Sequence, residues 1–314
     1  MPSAIPILDG ELLVAFVAFA DALNFTHAAR AVGLSQPALF ERIQRLADDV
    51  GAALYEREGR RLQLTEAGVR VAAFARDELA RAEQFLGDLR GETRREAVVL
   101  AAGEGSYLYL LGPALRAFTR DVPAASLRLL TRGAKDAAEA VREGAAQLAV
   151  AVLDLVPEDL VARDLVRTPL CVAVCDGHRL AGKRLVRLAD LAGERLILTP
   201  AGQSHRDHVA RALAGLAGSA EPPLEADGWP LMLRFAGLGL GVAIVNGVCE
   251  LPRGVVARPV RELGSVTYRL LWRRGGQLPP AAAALRDAIL ALAQGRHAGS
   301  DPGASSPARR PPRP

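Results

Sequence analysis

Residues 24–46 read NFTHAARAVGLSQPALFERIQRL, and this stretch decides the fold of the N-terminal part of the chain. Its pattern predicts two short helices joined by a tight turn. Thr26 is placed to cap the first helix, and Gly33 allows the positive φ that the turn needs. Ser35 is placed to cap the second helix, with Pro37 in its first turn, where a missing N–H costs little. The stretch therefore predicts a helix-turn-helix, whose second helix is built to lie in a DNA major groove.

The second helix has two distinct faces. Leu39, Ile43 and Leu46 recur at helical spacing and are expected to face the core. The polar or exposed positions between them point outward, and these are Gln36, Phe40, Glu41 and Gln44. A buried Phe40 is the structural alternative, but its phase against Leu39 and Ile43 argues against it.

Residues 51–68 read GAALYEREGRRLQLTEAG and predict a wing after the helix-turn-helix. Leu62 and Leu64 alternate with polar residues, which is typical of a short strand pair, here with a basic tip. The run from Leu12 to Gly68 resembles the LysR-type transcriptional regulators, on FTHAARAVGLSQPALFERIQRL followed by LYEREGRRLQLTEAG at the expected separation. A helical hairpin that packs a core and touches no DNA is the alternative, and the wing argues against it.

The resemblance and the outward face together define an expected double-stranded DNA surface. Gln36 can pair with adenine in the major groove, and arginines can hold phosphate or a narrow minor groove. The predicted DNA-binding residues are Arg30, Ser35, Gln36, Pro37, Phe40, Glu41, Arg57, Arg60 and Arg61. The family usually has serine at the position of Phe40 and often a basic or polar residue at that of Glu41. Either the base preference is altered or DNA binding is weakened, because a glutamate repels phosphate.

Net charge does not by itself point to DNA. The whole chain carries +4, but residues 1–70 hold seven arginines and nine acidic residues, a balance of −2. Phosphate contacts supply much of the affinity for DNA. They must therefore come from local arginine placement, from backbone amides at helix N-termini and from dimerisation.

Composition places the 314-residue chain among soluble cytoplasmic proteins of two or three domains. Residues 1–9 have no basic start or apolar core typical of a signal peptide, and the uncharged run 235–249 is too short and broken to span a membrane. Three cysteines fit a reducing compartment. Cys171 and Cys175 are expected to be buried small hydrophobes rather than a redox pair.

A long helix from Thr65 to about Leu89 follows the wing. Its apolar residues follow a near-heptad spacing, which is typical of a coiled-coil seam. They are Val71, Ala75, Leu79, Ala82, Leu86 and Leu89. The family resemblance implies that this helix pairs with a second copy, giving a homodimer or homotetramer, although a lone helix could lie on its own domain. The expected domains are a head at 1–65, a dimerising linker helix at 66–92, an effector-binding domain at 93–294 and a disordered tail at 295–314.

From residue 97 onward, apolar strands alternate with helices, which predicts an α/β domain with a mostly parallel sheet. The resemblance implies the two-lobed periplasmic-binding-protein fold for this half. Lobe one is then expected at about 97–164 and 265–293, and lobe two at about 165–264. The chain is expected to cross between lobes near 162–166 and near 262–266.

A small-molecule effector is expected between the lobes, where strand ends meet helix N-termini. The predicted contacts are Glu104, Gly105, Ser106, Tyr107, Thr131, Arg132, Thr199, Gln203, Ser204, His205 and Arg206. Helix N-termini with nearby arginines suit an anion, which predicts a carboxylate-bearing metabolite. Glu104 opposes an anion, so a ligand with an amine or a hydroxyl stays open. Ser106 and Ser204 could instead simply cap helices, and Arg206 could be a surface residue.

No catalytic set, metal spacing or cofactor motif appears in the sequence. His205 and His208 lie three apart on one helix face without an obvious third ligand, and the glycine run at 237–241 lacks a dinucleotide fingerprint. The first hypothesis is a ligand-responsive transcription factor that is not an enzyme and binds promoter DNA. The second is a small-molecule sensor with a weakened DNA-binding head. An enzyme on the two-lobed fold would need an acid–base set or nucleophile that is not found.

Overall fold

The computed structural model describes residues 8–59, 61–89, 97–214 and 222–297. Arg60, residues 90–96 at the predicted end of the linker helix and start of the effector-binding domain, and residues 298–314 of the predicted tail lie outside the described residues. As predicted, the chain forms a winged helix-turn-helix head, a long linker helix and a two-lobed α/β domain. Within the described ranges, no helix combines the length and apolar character needed to cross a membrane.

The head consists of three helices and a two-stranded antiparallel wing. They are α1 (Gly10–Ala22), α2 (Phe25–Ala31), α3 (Gln36–Val50), β1 (Tyr55–Glu58) and β2 (Arg61–Leu64). Leu39, Ile43 and Leu46 are fully buried, so the inward face of α3 is the predicted one. They pack with Phe16 and Phe19 of α1 in a single head core.

Side-chain caps set the helix starts in the head. The carboxylate of Asp9 accepts from the N–H of Glu11 at 2.9 Å, and Ser35 accepts from the N–H of Ala38 at 3.3 Å, as predicted. The prediction that Thr26 caps α2 was wrong. Asn24 caps it, because its backbone is extended and its side chain accepts from two N–H groups, those of Thr26 and His27. Thr26 already lies inside the first turn.

The linker helix α4 (Glu66–Leu89) leaves the wing at a tight contact. A Cβ on Gly68 would lie 1.8 Å from the carbonyl oxygen of Leu54, so only glycine allows this approach. Thr65 begins the helix by accepting from the N–H of Gly68 at 3.0 Å while donating to the carbonyl of Ala53. The first half of α4 packs on α1, and Ala72 and Ala75 are fully buried there. The prediction that Val71, Ala75 and Leu79 belong to a seam for a second copy was wrong, because they pack in the head core.

Polar contacts join α4 to the effector-binding domain. Arg76 donates to the backbone carbonyl of Glu143 and also pairs with Asp21 of the head. Asp77 pairs with Arg273. One arginine therefore contacts the head and the effector-binding domain at the same time.

Lobe one contains a five-stranded sheet that ends on β6 (Leu160–Cys175), and the strands named next lie across it in the order β4-β3-β5-β11-β6. β3 (Ala97–Ala102), β4 (Ser126–Thr131) and β5 (Leu148–Val152) are parallel, whereas β11 (Ser265–Arg273) is antiparallel to β5. The helices are α5 (Glu104–Ser106), which continues through a π-helical turn at Tyr107–Leu111 into α6 (Gly112–Asp121), then α7 (Ala134–Arg142) and α10 (Pro280–His297). α10 extends three residues into the segment predicted to be a disordered tail.

Lobe two contains a second sheet, with β7 (Leu196–Leu198) between β8 (Leu224–Glu225) and β9 (Val242–Asn246), all parallel. β10 (Val255–Pro259) lies on the other edge. The helices of this lobe are α8 (Ser204–Leu213) and α9 (Trp229–Gly237). Within each lobe, the strands that are joined by helices are parallel. Strands β6 and β11 run antiparallel to their neighbours.

One long strand belongs to both lobes. β6 (Leu160–Cys175) pairs with β11 as far as Pro169 and with β9 from Leu170 onward. The chain thus enters lobe two at 169–170, later than the predicted 162–166, because the strand continues unbroken through that stretch. It returns at 260–264, where Gly264 has a φ of +66° and its carbonyl accepts from the N–H of Leu170.

Candidate functional site

The outward face of α3 forms an exposed surface beside the wing. Ser35, Gln36, Pro37 and Glu41 are exposed, and Phe40 has 44% of its surface accessible. The centroid of the Phe40 ring lies 5.6 Å from that of Phe25. One side of the Phe40 ring therefore contacts the head, and the other side is open to solvent. These five predicted residues therefore lie at the surface, whereas Gln44, also expected to point outward, is half-buried.

Hydrogen bonds fix the position of α3 relative to its neighbours. The Thr26 hydroxyl donates to the Oε1 of Gln36 at 3.1 Å, and the Nε2 of Gln44 donates to the Tyr55 hydroxyl at 3.1 Å. Arg30, Arg57 and Arg61 are exposed around this surface. These contacts hold a recognition helix and a basic wing in one rigid unit.

The second candidate site is a cleft of about 1110 Å³ between the lobes. Nine of the eleven predicted effector residues line it, and these are Glu104, Gly105, Ser106, Thr131, Arg132, Thr199, Gln203, Ser204 and His205. They come from strand ends and helix starts in both lobes. The topology therefore brings together residues that are far apart in the sequence.

Tyr107 and Arg206, the two remaining predicted residues, point elsewhere. The Tyr107 hydroxyl lies beneath the cleft wall, at 2.6 Å from the carbonyl of Leu100 and 3.0 Å from that of Leu130. Burial raises the pKa of Tyr107 to about 12. Arg206 turns back to donate to the carbonyl of Thr199 and to pair with Glu225 at 3.5 Å. Both predictions failed because side-chain direction at a helix start depends on packing.

The floor of the cleft contains a polar pair that the sequence analysis missed. The Nδ2 of Asn246, on lobe two, donates to the hydroxyl of Tyr268, on lobe one, at 2.7 Å. The Oδ1 of Asn246 and the hydroxyl of nearby Thr199 are buried without a hydrogen-bond partner within the described part of the chain. Burial raises the pKa of Tyr268 to about 12, so it keeps its proton. The sequence feature that could have identified Asn246 is its position as the single polar residue at the end of the apolar run VAIVN, residues 242–246.

His205 lies against Trp229 in the wall of lobe two. Their ring centroids are 4.6 Å apart and the rings are perpendicular, which is a favoured edge-to-face geometry. Both ring nitrogens of His205 are inaccessible and unpartnered among the described residues. Burial, with a smaller effect of His208, lowers the pKa of His205 to about 4, so the ring is neutral at pH 7.

The two lobes also touch directly across the cleft. A Cβ on Gly105 would lie 2.4 Å from the Cδ1 of Trp229, so the indole rests on the bare Gly105 backbone. A Cβ on Gly228 would lie 2.7 Å from a carboxylate oxygen of Glu104. Residues 104–105 of lobe one therefore face residues 228–229 of lobe two in close contact.

Charged groups of both signs surround the cleft. Its lining includes three cationic side chains, Arg132, Lys135 and Arg211, and five carboxylates, those of Glu104, Asp136, Asp154, Asp207 and Asp227. Arg211 pairs with Asp154 across the lobes at 3.0 Å, and Asp227 accepts from the Nε2 of Gln203 at 2.9 Å. Helices α7 and α8 both begin at the cleft, and neither has a side-chain cap. The cleft thus offers open helix N-termini on two sides.

Comparison with known proteins agrees with this architecture. The family model for the bacterial regulatory helix-turn-helix protein, lysR family, matches residues 11–69, and the model for the LysR substrate binding domain matches residues 91–294. The chain belongs to the LysR family of transcriptional regulators. Its head binds DNA, and its two-lobed domain is the family's ligand-binding domain.

Relatives of this LysR-type regulator match it over nearly its whole length. The RuBisCO operon transcriptional regulator of Allochromatium vinosum is 28% identical over 291 residues, covering 90% of this chain and 95% of the relative. Full-length OxyR from Pseudomonas aeruginosa shares the fold with a TM-score of 0.66 at 21% identity, covering 92% and 97% of the two chains. CbnR complexed with its target DNA aligns with a TM-score of 0.51 at 23% identity, covering 91% and 100%.

The neutral state of His205 makes the stability of this regulator depend on pH. Between pH 6.5, the ordinary pKa of histidine, and about pH 4, the unfolded chain binds a proton at this site that the folded chain does not. Stability is therefore lost as the pH falls through this window. We expect His205→Gln to lose less thermal stability between pH 7 and pH 4.5 than the wild type, as measured by circular dichroism melting.

The control for this measurement is His27→Gln, which removes an exposed histidine from the head. It should follow the wild-type pH profile. An equal loss of melting temperature in the wild type and in His205→Gln would show that His205 is protonated in the folded chain.

Proposed function

We propose that this cytoplasmic LysR-type regulator binds promoter DNA through paired heads and changes that binding when a small carboxylate occupies the cleft. The observation that carries the proposal is the combination of an exposed recognition helix with a two-lobed cleft that contains unpartnered polar groups. Ligand binding at such a cleft can shift the lobe arrangement and so the spacing of the heads.

In this proposal α3 enters the major groove and the wing holds the backbone. Gln36, fixed by Thr26, reads a base edge, while Phe40 offers its open face to a thymine methyl group. Arg57 and Arg61 are exposed on the wing and suit phosphate contacts. Glu41 is exposed on the same helix and can only accept, for instance from cytosine N4.

DNA binding is tested on a labelled fragment from upstream of the protein's own gene. We expect Arg61→Ala to weaken binding to all DNA sequences, because one phosphate contact is lost. The slope of log K against the logarithm of salt concentration should fall in magnitude by about 1 per head. Arg116→Ala removes the same charge from an exposed position on α6 of the effector-binding domain and should leave binding unchanged. The measurement is fluorescence anisotropy at several salt concentrations with competitor DNA.

Glu41→Arg separates the proposal from the alternative of a sensor with a weakened head. A selective wild-type complex whose preferred site changes in the variant supports base reading at this position. If only the variant forms a selective complex, the acidic head is too weak for DNA and the ligand-sensing function takes precedence.

We also propose that α4 pairs two copies of the chain. Phe74, Phe85, Leu86 and Leu89 are between 45% and 69% exposed on this helix. Helical spacing places them on one stripe, which is wide enough for a second helix. An exposed apolar stripe of this kind is usually covered by a partner. A pair of heads reads two half-sites, which a single head cannot do.

The oligomer is tested by placing a charge on the stripe. We expect Phe85→Glu to shift the protein toward monomer in sedimentation velocity, since a carboxylate in an apolar interface is costly. Ala80→Glu puts the same charge on the opposite side of α4, where the side chain is exposed, and should not change the sedimentation coefficient. A Phe85→Glu protein that sediments like the wild type would place the interface elsewhere.

The cleft suits an effector that combines a carboxylate with a hydroxyl group. The N-terminus of α7 lacks a side-chain cap, and Arg132 and Lys135 lie beside it. Within the described part of the chain, Lys135 makes no ion pair. The floor needs a neutral partner, because the unpartnered Oδ1 of Asn246 can only accept a hydrogen bond. A hydroxyl meets that need, whereas a second carboxylate would be repelled.

Reversible binding is favoured over oxidation of Cys171 or Cys249 as the signal. Burial raises the pKa of Cys171 to about 11 and that of Cys249 to about 12. Because the thiolate is the reactive form, burial makes these two thiols less reactive near neutral pH than an exposed cysteine.

The effector class is tested with a panel of small hydroxycarboxylates, each paired with its primary amide. We expect carboxylates to raise the melting temperature more than the amides, and Arg132→Ala to remove that difference by deleting a cation from the cleft. Arg128→Ala removes an exposed cation of β4 that does not line the cleft and should preserve it. Equal stabilisation by both members of each pair would contradict recognition of a carboxylate.

A further inference from the structure

We propose that residues 104–105 of lobe one and residues 228–229 of lobe two form a latch, and that undocking of Trp229 from Gly105 opens the cleft. This inference rests on the proposed function of the cleft as the effector site, since it names the contact that controls access to that site. The latch joins the lobes on the side of the cleft where α5 and α9 begin.

The first contact is the seat of Trp229 on Gly105. The position of a Cβ on Gly105 is 2.4 Å from Cδ1 and 2.5 Å from Nε1 of the indole. An indole ring is rigid, so it cannot yield to a methyl group as a flexible side chain does. Gly105 is in a helical conformation within α5, without a positive φ. The requirement for glycine is therefore set by the ring of the other lobe rather than by the local backbone.

The second contact is electrostatic. Helix α9 begins at Trp229, and its N-cap residue Gly228 has no side chain that could satisfy the first N–H groups. The carboxylate of Glu104 stands beside Gly228 and brings a negative charge to this positive helix end from the other lobe. Glu104 therefore stabilises the closed arrangement, which gives one of the five carboxylates of the cleft lining a role in joining the lobes.

Lobe two holds Trp229 in the orientation that docking needs. The His205 ring packs perpendicular to the indole, and both residues belong to lobe two. Trp229 can therefore leave Gly105 with its own lobe, as one body. The hydrogen bond between Asn246 and Tyr268 lies at the crossing strands and can act as the pivot.

The ion pair across the cleft is weaker than the latch. Arg211 and Asp154 pair at 3.0 Å, but both side chains are about two-thirds exposed, and water screens such pairs. The Trp229 and Glu104 contacts are therefore the main bias toward closure. An effector that binds only the closed arrangement will be retained by the latch, and its affinity will fall when the latch is weakened.

The test uses Trp229 as its own reporter in the full-length protein. The chain has two tryptophans, so Trp272→Phe leaves Trp229 as the single emitter. In this background we expect Gly105→Ala to shift the emission maximum to longer wavelength and to raise the acrylamide quenching constant. Gly103→Ala is the matched control, since it lies in the same turn and its Cβ would meet nothing closer than 3.9 Å.

A second readout separates opening of the lobes from a local displacement of the ring. Backbone hydrogen exchange is followed in peptides that cover 131–136 of lobe one and 203–207 of lobe two, which both line the cleft. We expect Gly105→Ala to accelerate exchange in both peptides, and Gly103→Ala to match the parent. Gly105 is helical and Gly103 is extended, and neither has a positive φ, so alanine suits both backbones and the far-ultraviolet circular dichroism of both variants should stay unchanged.

Either of two results would overturn the latch. One is an unchanged emission and quenching constant in Gly105→Ala. The other is a change in Trp229 fluorescence without faster exchange in the two cleft peptides, which would restrict the effect to the ring. Neither measurement involves DNA or an added carboxylate, so loss of the latch is distinguishable from failure of the proposed regulator function.

Discussion

A single strand that belongs to two sheets is the constraint on which the effector-binding domain depends. β6 pairs with β11 up to Pro169 and with β9 and β10 from Leu170 onward. Because the strand is continuous, no irregular linker separates the lobes at this crossing. The return crossing at 260–264 is tied to β6 through the bonds of Leu170 to Gly264 and of Val260 to Leu170. The cleft is thereby a hinged site rather than a gap between two independent domains.

The head shows how a slightly acidic module can still present a DNA-binding surface. Its arginines are not spread evenly, and several lie at the recognition helix or on the wing, while acidic Glu11 is engaged by Arg42 at 2.8 Å. The N-terminus of α3, where Gln36 and Pro37 are exposed, adds the positive end of the helix dipole to this surface. Local placement therefore counts for more than the net charge of the head.

Burial controls the chemistry of the cleft. It keeps His205 uncharged and Tyr268 protonated, so the deep wall and the floor offer neutral hydrogen-bonding groups. Charged residues such as Arg132 and Lys135 line the same cleft at the start of α7. A ligand with one charged and one neutral polar group matches this division. The same arrangement leaves Asn246 and Thr199 with unmet hydrogen-bonding capacity, which is costly in a folded protein unless it serves binding.

The sequence by itself determined the head, the linker helix and the alternation of strands and helices. Leu39, Ile43 and Leu46 are buried as their spacing predicted, because helical periodicity depends on neighbouring residues. The sequence also located the turns around the cleft, because each of these turns lies where a strand pattern is followed by a helix pattern. Even locally it misjudged one cap, because Asn24 and Thr26 are both capable residues and the backbone decided between them.

Only the tertiary structure decided which side chains enter the cleft and how the lobes meet. Tyr107 turns under the wall and Arg206 turns back to Thr199, while Asn246, Tyr268 and Trp229, which were not among the predicted contacts, line the cleft. The physical reason is that these directions result from packing between segments distant in sequence. The contact of the Trp229 ring with the Gly105 backbone requires both lobes to be in place. Neither hydrophobic periodicity nor a turn motif in the sequence predicts it.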